Sequence, residues 1–464
     1  MIAIAFLALF IWPVVIVQMF KRMSVERALI WSLMLGYLFL PPVIAIDLPL
    51  IPALDKATIP AITAFTCLFM LGHKVTFLLP NPIARALLIA FVFTPIGTVM
   101  TNREPILFAN GTFLPGLQPR DAISMVINQG LHLLPLFMGQ AVLRSETALK
   151  ELVRAFFIGG MIYAIPVLIE VRLAPQLNTW IYGFFQHSFD QMMRWGGFRP
   201  IVFLTHALWV ALFILMSTLA ALSLARNATP QDRPRYVAAA VFLMVVLALC
   251  KSLGSLVYLL MFAPVMLLAT RKTMIAIATI IAGVMLLYPI LRGAGYVPVD
   301  QIVDQFTRIN ADRAGSLAFR LENEGLLLEH AFQKPWFGWG GWDRNFVLDP
   351  NTGRVMTIAD GQWVIIIGIF GWAGYIVEFG LLTLPVFLLF LNTRHMQNSD
   401  VSPWLATLAL MHGINMLDML PNATLIPLTW LVCGALLGYL KEREHATAPE
   451  PLTTAIPVAR RTLI

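Results

Sequence analysis

The chain has 464 residues, 59% hydrophobic and 12% charged, with a mean hydropathy of +0.78. Soluble domains carry about 25% charged residues, so this composition argues against a soluble enzyme, a nucleic-acid binder or a disordered chain. Lys and Arg total 32 against 25 Asp and Glu, a formal charge of +7; in a membrane chain such an excess gathers in short cytoplasmic loops.

Apolar runs lie at 1–20, 28–47, 59–79, 84–101, 121–143, 154–172, 200–225, 236–250, 253–270, 273–291, 361–392, 402–418 and 422–440. They predict an all-α polytopic integral membrane protein with about thirteen transmembrane helices, since ~17–25 residues cross a bilayer. One transmembrane helical domain is expected over 1–440. The first run has no basic residue before it and Lys21–Arg22 after it. A cleaved signal peptide has the opposite order, so the run reads as a retained span with its N-terminus outside. Alternate ends then carry Lys21, Arg22, Lys74, Arg144, Arg226, Arg271, Lys272, Arg394 and Lys441, which makes that side cytoplasmic. The tail 441–464 falls on the same side, and its Ala, Thr and Pro content predicts disorder. The opposite side holds three longer loops, near 102–120, 173–199 and 292–360. Cys67, Cys250 and Cys433 lie in or beside apolar runs, so no structural disulfide is expected. The spans hold few ionisable groups, unlike a proton pump.

The polar loops carry the candidate chemistry. In the second, Arg194 and Arg199 precede a span containing His206. Arginines there suit either lipid phosphate or a lipid-linked diphosphate. In the third, acids are as numerous as bases, so only individual arginines can bind an anion. Residues 311–332 read as an amphipathic helix on which Arg313 and Arg320 share a face, about two turns apart. Two guanidinium forks on one face suit a diphosphate; the alternative is salt bridging, with Glu324 four residues from Arg320. A turn follows, Lys334-Pro-Trp-Phe-Gly-Trp-Gly-Gly-Trp342. Trp336, Trp339 and Trp342 would either stack on sugars or sit at the headgroup level. His330 is either a general base or a solvated or capping residue. His206 and His412 are either functional or helix-to-helix hydrogen-bonding groups. No metal-ligand spacing and no nucleophile elbow is present, so no metal and no cofactor is expected.

The run Arg313-Ala-Gly-Ser-Leu-Ala-Phe-Arg320, the helix to Phe332 and the turn Pro335-Trp-Phe-Gly-Trp-Gly-Gly341 resemble the signature loop of the O-antigen ligase and Wzy-type polymerase superfamily. Asp360-Gly-Gln-Trp363 with Gly368-Ile-Phe-Gly-Trp-Ala-Gly374 is similar to the start of that family's next span. Gly197-Phe-Arg-Pro200 before His206 is similar to its arginine-containing approach to a mid-chain helix. The resemblance covers roughly residues 150–440. It implies a glycosyltransferase at the outer face of the cell inner membrane, moving glycan from undecaprenyl diphosphate without a metal. It also implies membrane lipid and other polysaccharide export proteins as partners, and no nucleic acid. By the same resemblance Arg199, Arg313 and Arg320 would hold the diphosphate and stabilise it as leaving group, with Arg194 and Lys251 adding charge. Trp336, Trp339 and Trp342 would meet the glycan.

Two departures bear on the base and the acceptor. Many ligases place a His after the glycine turn, where this chain has Asp360-Gly-Gln362; Asp360 is then one candidate base and His330 the other. A Ser-Arg pair of the family is replaced by Lys251-Ser252, a point charge rather than a fork. Both fit an exopolysaccharide polymerase better than a ligase to lipid A core. The alternatives are ligation, transfer of glycan to a protein, and a lipid-linked glycan flippase or transporter, against which the sparse intramembrane charge argues.

Overall fold

The computed structural model describes residues 2–447 except 49, 50, 80, 195 and 310, and gives backbone alone at 48, 51, 302, 306, 309, 311–313 and 444–447. The chain is 70% helical. Among the described residues, seven helices are long and apolar enough to cross a membrane, consistent with an all-α membrane protein. They are α1 (Ile2–Arg22), α4 (Pro82–Met100), α5 and α6 taken together, α7 (Glu146–Leu173), α9 (Ala207–Arg226), α12 (Arg271–Gly293) and α15 (Gln362–Thr393). The pair α5 (Pro119–His132) and α6 (Leu134–Val142) bends at Leu133, where Pro135 opens the second segment. Shorter helices fill the bundle: α2 (Val25–Phe39), α3 (Thr58–Met70), α10 (Arg233–Leu249), α11 (Leu253–Leu268), α16 (Pro403–Asp418) and α17 (Pro427–Thr447).

Polar caps set the helix starts. Asn81, Ser145, Thr270 and Ser402 each accept a hydrogen bond from a backbone N–H in the first turn of α4, α7, α12 and α16, satisfying donors that a helix leaves open. A continuous apolar cluster runs from Ala5 to Leu440. The closest helix pair is α6 with α17. A Cβ on Gly434 would meet the Leu136 carbonyl oxygen at 2.1 Å, and one on Gly438 the Gln140 carbonyl at 2.7 Å. The small-xxx-small spacing is what lets these backbones touch. Helix α17 runs past Lys441 to Thr447, because Lys-Glu-Arg-Glu are good helix formers; residues 448–464 of the expected tail lie outside the described residues.

The two ends of the bundle differ. At one, basic side chains cover helix ends: Arg226 donates to the Met266 carbonyl, Arg271 to Ser399 and Val401, and Lys272 to Arg394 and Met396. The other end carries the long loops. Three antiparallel hairpins lie among the connections, pairing Ile46–Leu48 with Ile51–Leu54, Ile106–Leu107 with Phe113–Leu114, and Met193–Arg194 with Gly197–Phe198. The first falls partly in the run 28–47, which therefore ends as helix at Phe39 rather than continuing. The 292–360 segment folds as α13 (Val299–Ile309), α14 (Ala311–Phe332) and a turn; the short α8 (Leu177–Tyr182) lies in the 173–199 loop.

The run 361–392, expected as one long span, is a broken helix. Gly371 has φ 65° and ψ −164°. Gln362 Nε2 donates to Glu378 Oε1 at 3.1 Å, although sixteen residues of straight helix would separate them by ~24 Å. The segment before Gly371 therefore doubles back against the segment after it. The glycine turn locks the elbow: Trp339 and Gly340 N–H donate to the Gly368 and Ile369 carbonyls, while Trp372 and Ala373 N–H donate to Pro335 and Trp336.

Candidate active site

A cationic cluster forms at the loop end from three segments far apart in sequence. The first is the strand-and-loop stretch 193–206. The Arg199 N–H donates to the Met192 carbonyl, and the residue is 3% exposed. The following loop is held from all sides. Glu170 on α7 accepts from the Leu177, Ile201 and Val202 N–H groups, the Tyr163 hydroxyl accepts from Phe203 N–H, and Gln186 donates to the Val202 and Leu204 carbonyls. Glu170→Ala strands three backbone donors, two of them buried, and is expected to cost about 3 kcal/mol. Thermal unfolding of the purified protein checks this; Glu170→Gln, which keeps one acceptor oxygen, should lose less.

The second segment is the turn between α10 and α11. Lys251 takes φ 53° there and donates from Nζ to the Arg194 carbonyl at 2.8 Å. The third is α14, whose Arg320 Nε lies 3.3 Å from Asp360 Oδ2, both about one-third exposed. The pair borders a cleft of about 170 Å³ also lined by Glu324, Gly361 and Leu420. The i,i+4 partner offered by the sequence is not used. Glu324 instead accepts from Arg292 Nε and the Tyr288 hydroxyl, leaving the Arg320 fork on Asp360.

His206 joins the segments. It caps α9, its Nδ1 accepting from the Leu208 N–H at 3.0 Å, and its ring lies 4.7 Å from that of His187. Burial, then the charges of His187, Arg199, Arg320 and Arg194, push its pKa down to about 3. A neutral ring with Nδ1 accepting carries its proton on Nε2, so near neutral pH His206 is a hydrogen-bond donor. Because the folded pKa lies below the usual 6.5, the unfolded chain takes up protons first. Stability is full above pH ~6.5 and falls as pH drops toward ~3. The midpoint of thermal unfolding should drop over that window in the wild type, and less in His206→Gln.

Asp418, at the end of α16, is the buried acid of this region. It accepts from Asn422 and the Thr424 hydroxyl and lies within the field of Arg320. Sequence reasoning passed over it. Its signal was a lone acid at the end of an apolar run.

The remaining site candidates lie elsewhere. His330 is ten residues beyond Arg320 on α14, ~15 Å along the axis. Its Nε2 pairs with the Arg344 carbonyl at 3.1 Å and its ring stacks on Trp339 at 4.4 Å; burial pulls its pKa below the usual value. Trp339 in turn donates to the His330 carbonyl and carries Lys334 over its face. Arg344, 2% exposed, donates to the Trp339, Pro115 and Glu104 carbonyls, welding the turn to the 102–120 loop. Trp336 and Trp342 are 70% and 58% exposed. The Arg313 backbone lies on α14, two turns from Arg320; its side chain is outside the described residues. No family model matches the chain, and no curated protein is similar to it.

Proposed function

We propose that the protein is a membrane glycosyltransferase that uses a polyprenyl-diphosphate-linked oligosaccharide as donor. The observation that supports this best is the grouping of Arg194, Arg199 and Arg320 about His206, with Lys251 on the Arg194 carbonyl and Arg320 paired to the Asp360 carboxylate at the edge of a cleft. Such a set suits a reaction in which negative charge grows on a departing diphosphate. The acceptor hydroxyl attacks the anomeric carbon, the carbon–oxygen bond to the diphosphate breaks, and its electron pair leaves on that group. Asp360 takes the hydroxyl proton. In the resting site Asp360 is paired with Arg320; a bound diphosphate offers Arg320 a stronger partner and releases the carboxylate.

On this reading the chain crosses the inner membrane about thirteen times, helped by several shorter helices, with spans of ~17–25 residues. The loop end faces the periplasm and the basic end the cytoplasm. The resemblance of the loop motifs favours polymerisation of an exopolysaccharide over ligation to lipid A core. Purified protein in lipid nanodiscs, given lipid-linked repeat units and a chelator but no nucleotide, should lengthen the glycan. Absence of chain growth overturns the proposal. The two candidate bases separate in the same assay. Asp360→Asn should lower the rate ~10²-fold or more. His330→Ala should leave the rate near wild type and lower stability by ~1–2 kcal/mol, the cost of a lost hydrogen bond and stacking.

A further inference from the structure

A larger cavity, about 620 Å³, adjoins the Arg320–Asp360 cleft, Gly361 lining one and Gln362 the other. Its volume is that of a small-molecule site. Two chain connections join it to the site: Thr205 in its wall precedes His206 of the arginine cluster, and Gln362 in its wall follows Asp360 by two residues. Its chemistry differs from the cleft's. The ionisable groups lining it are Asp55, Lys56, His132 and Glu378. Lys56 is engaged with the Phe203 carbonyl at 2.7 Å, and burial lowers its pKa to about 7. No arginine lines the cavity, so it offers a diphosphate no guanidinium fork. The wall is instead aromatic faces, from Trp209, Trp342 and Trp430, interleaved with the side-chain amides of Asn128, Gln129 and Gln362. Flat apolar faces bordered by neutral donors and acceptors match a sugar ring, whose C–H face is apolar and whose rim is hydroxyl.

We propose that this cavity is the acceptor site, taking an uncharged sugar of the glycan and directing one of its hydroxyls through the Thr205–Gln362 wall toward Asp360. The proposal rests on the transferase reading and divides its labour: the arginine cluster binds the donor diphosphate, and the aromatic cavity binds the nucleophile. In the step, the acceptor oxygen bonds to the anomeric carbon and the diphosphate departs with the electron pair of the broken bond. The hydroxyl proton passes to Asp360.

Two variants test it, Ala45→Trp to fill the cavity and Gln129→Leu to remove an amide at nearly constant volume. The acceptor probe is the soluble repeat-unit oligosaccharide released from the donor lipid by mild acid. Binding of polyprenyl diphosphate alone is followed by intrinsic fluorescence. Both variants should need at least tenfold more acceptor for half-maximal transfer while binding polyprenyl diphosphate as the wild type does. Transfer at the wild-type acceptor concentration in both variants overturns the proposal. So does weakened polyprenyl diphosphate binding in Gln129→Leu, which would place the lipid chain in the cavity. Wild-type protein that binds polyprenyl diphosphate yet elongates nothing sinks the transferase reading itself, a separate result.

Discussion

Arg320→Ala should reduce glycan transfer ~10²–10³-fold, the usual consequence of removing one preorganised donor from a developing anion. Two losses combine. The departing diphosphate loses a guanidinium fork, and Asp360 loses the cation that now holds it at 3.3 Å. Arg320→Lys keeps the charge but not the fork, so it should recover only part of the rate. Single-turnover transfer in nanodiscs checks the order wild type, lysine, alanine. The fold should survive, because the residue is one-third exposed and borders a cleft rather than the apolar cluster. Equal rates in all three proteins would return Arg320 to a purely structural ion pair.

Gly371→Ala should have the largest effect on folding. Its φ of 65° with ψ −164° is a conformation that side chains rarely adopt, and a Cβ there would sit 2.4 Å from the Trp336 carbonyl carbon. The obstacle is backbone and cannot swing away. Gly338 meets the same elbow from the other side, its added Cβ falling 2.6 Å from the Ile369 carbonyl carbon. Strain of this kind costs of order 1–3 kcal/mol. The four elbow hydrogen bonds formed by residues 335–340 and 368–373 fail with it, each worth about 1 kcal/mol. Gly371→Ala should therefore sharply lower the yield of monodisperse protein in detergent, while Gly341→Ala, with nothing near its added Cβ, should not.

The spanning helices were legible because they are long apolar runs, a pattern that hydropathy along the chain shows by itself. The break in α15 was not, since Gly371 is one glycine in a run that stays apolar on both sides; only the docked turn makes its torsion necessary. The hairpin near Ile46 was hidden for a similar reason, its Ile and Leu continuing the hydropathy of α2. Arg199, Arg194, Lys251, Arg320 and Asp360 were each visible as polar residues in loops. Their mutual approach was not, because it depends on how three connections fold over the bundle. The choice of partner for Arg320 shows the limit most clearly. Helical spacing offered Glu324, but Arg292 and Tyr288 come from α12 and claim it first. His330 looked like a base because an imidazole in a polar loop has the right pKa; in the fold its Nε2 is held by the Arg344 carbonyl and it lies ~15 Å along α14 from Arg320.

The lengths of α10 and α11 carry a consequence for how a lipid donor would reach the cluster. At 17 and 16 residues each rises only ~25 Å, short of a ~30 Å hydrocarbon core. Both helices show broad apolar surfaces, including Val241, Val245, Leu260 and Leu268. A bilayer meeting a wall that short thins to match it, at modest cost. On the transferase reading, the headgroup plane would dip on this flank, toward the turn that presents Lys251, and would bring a diphosphate carried at headgroup level nearer the cluster.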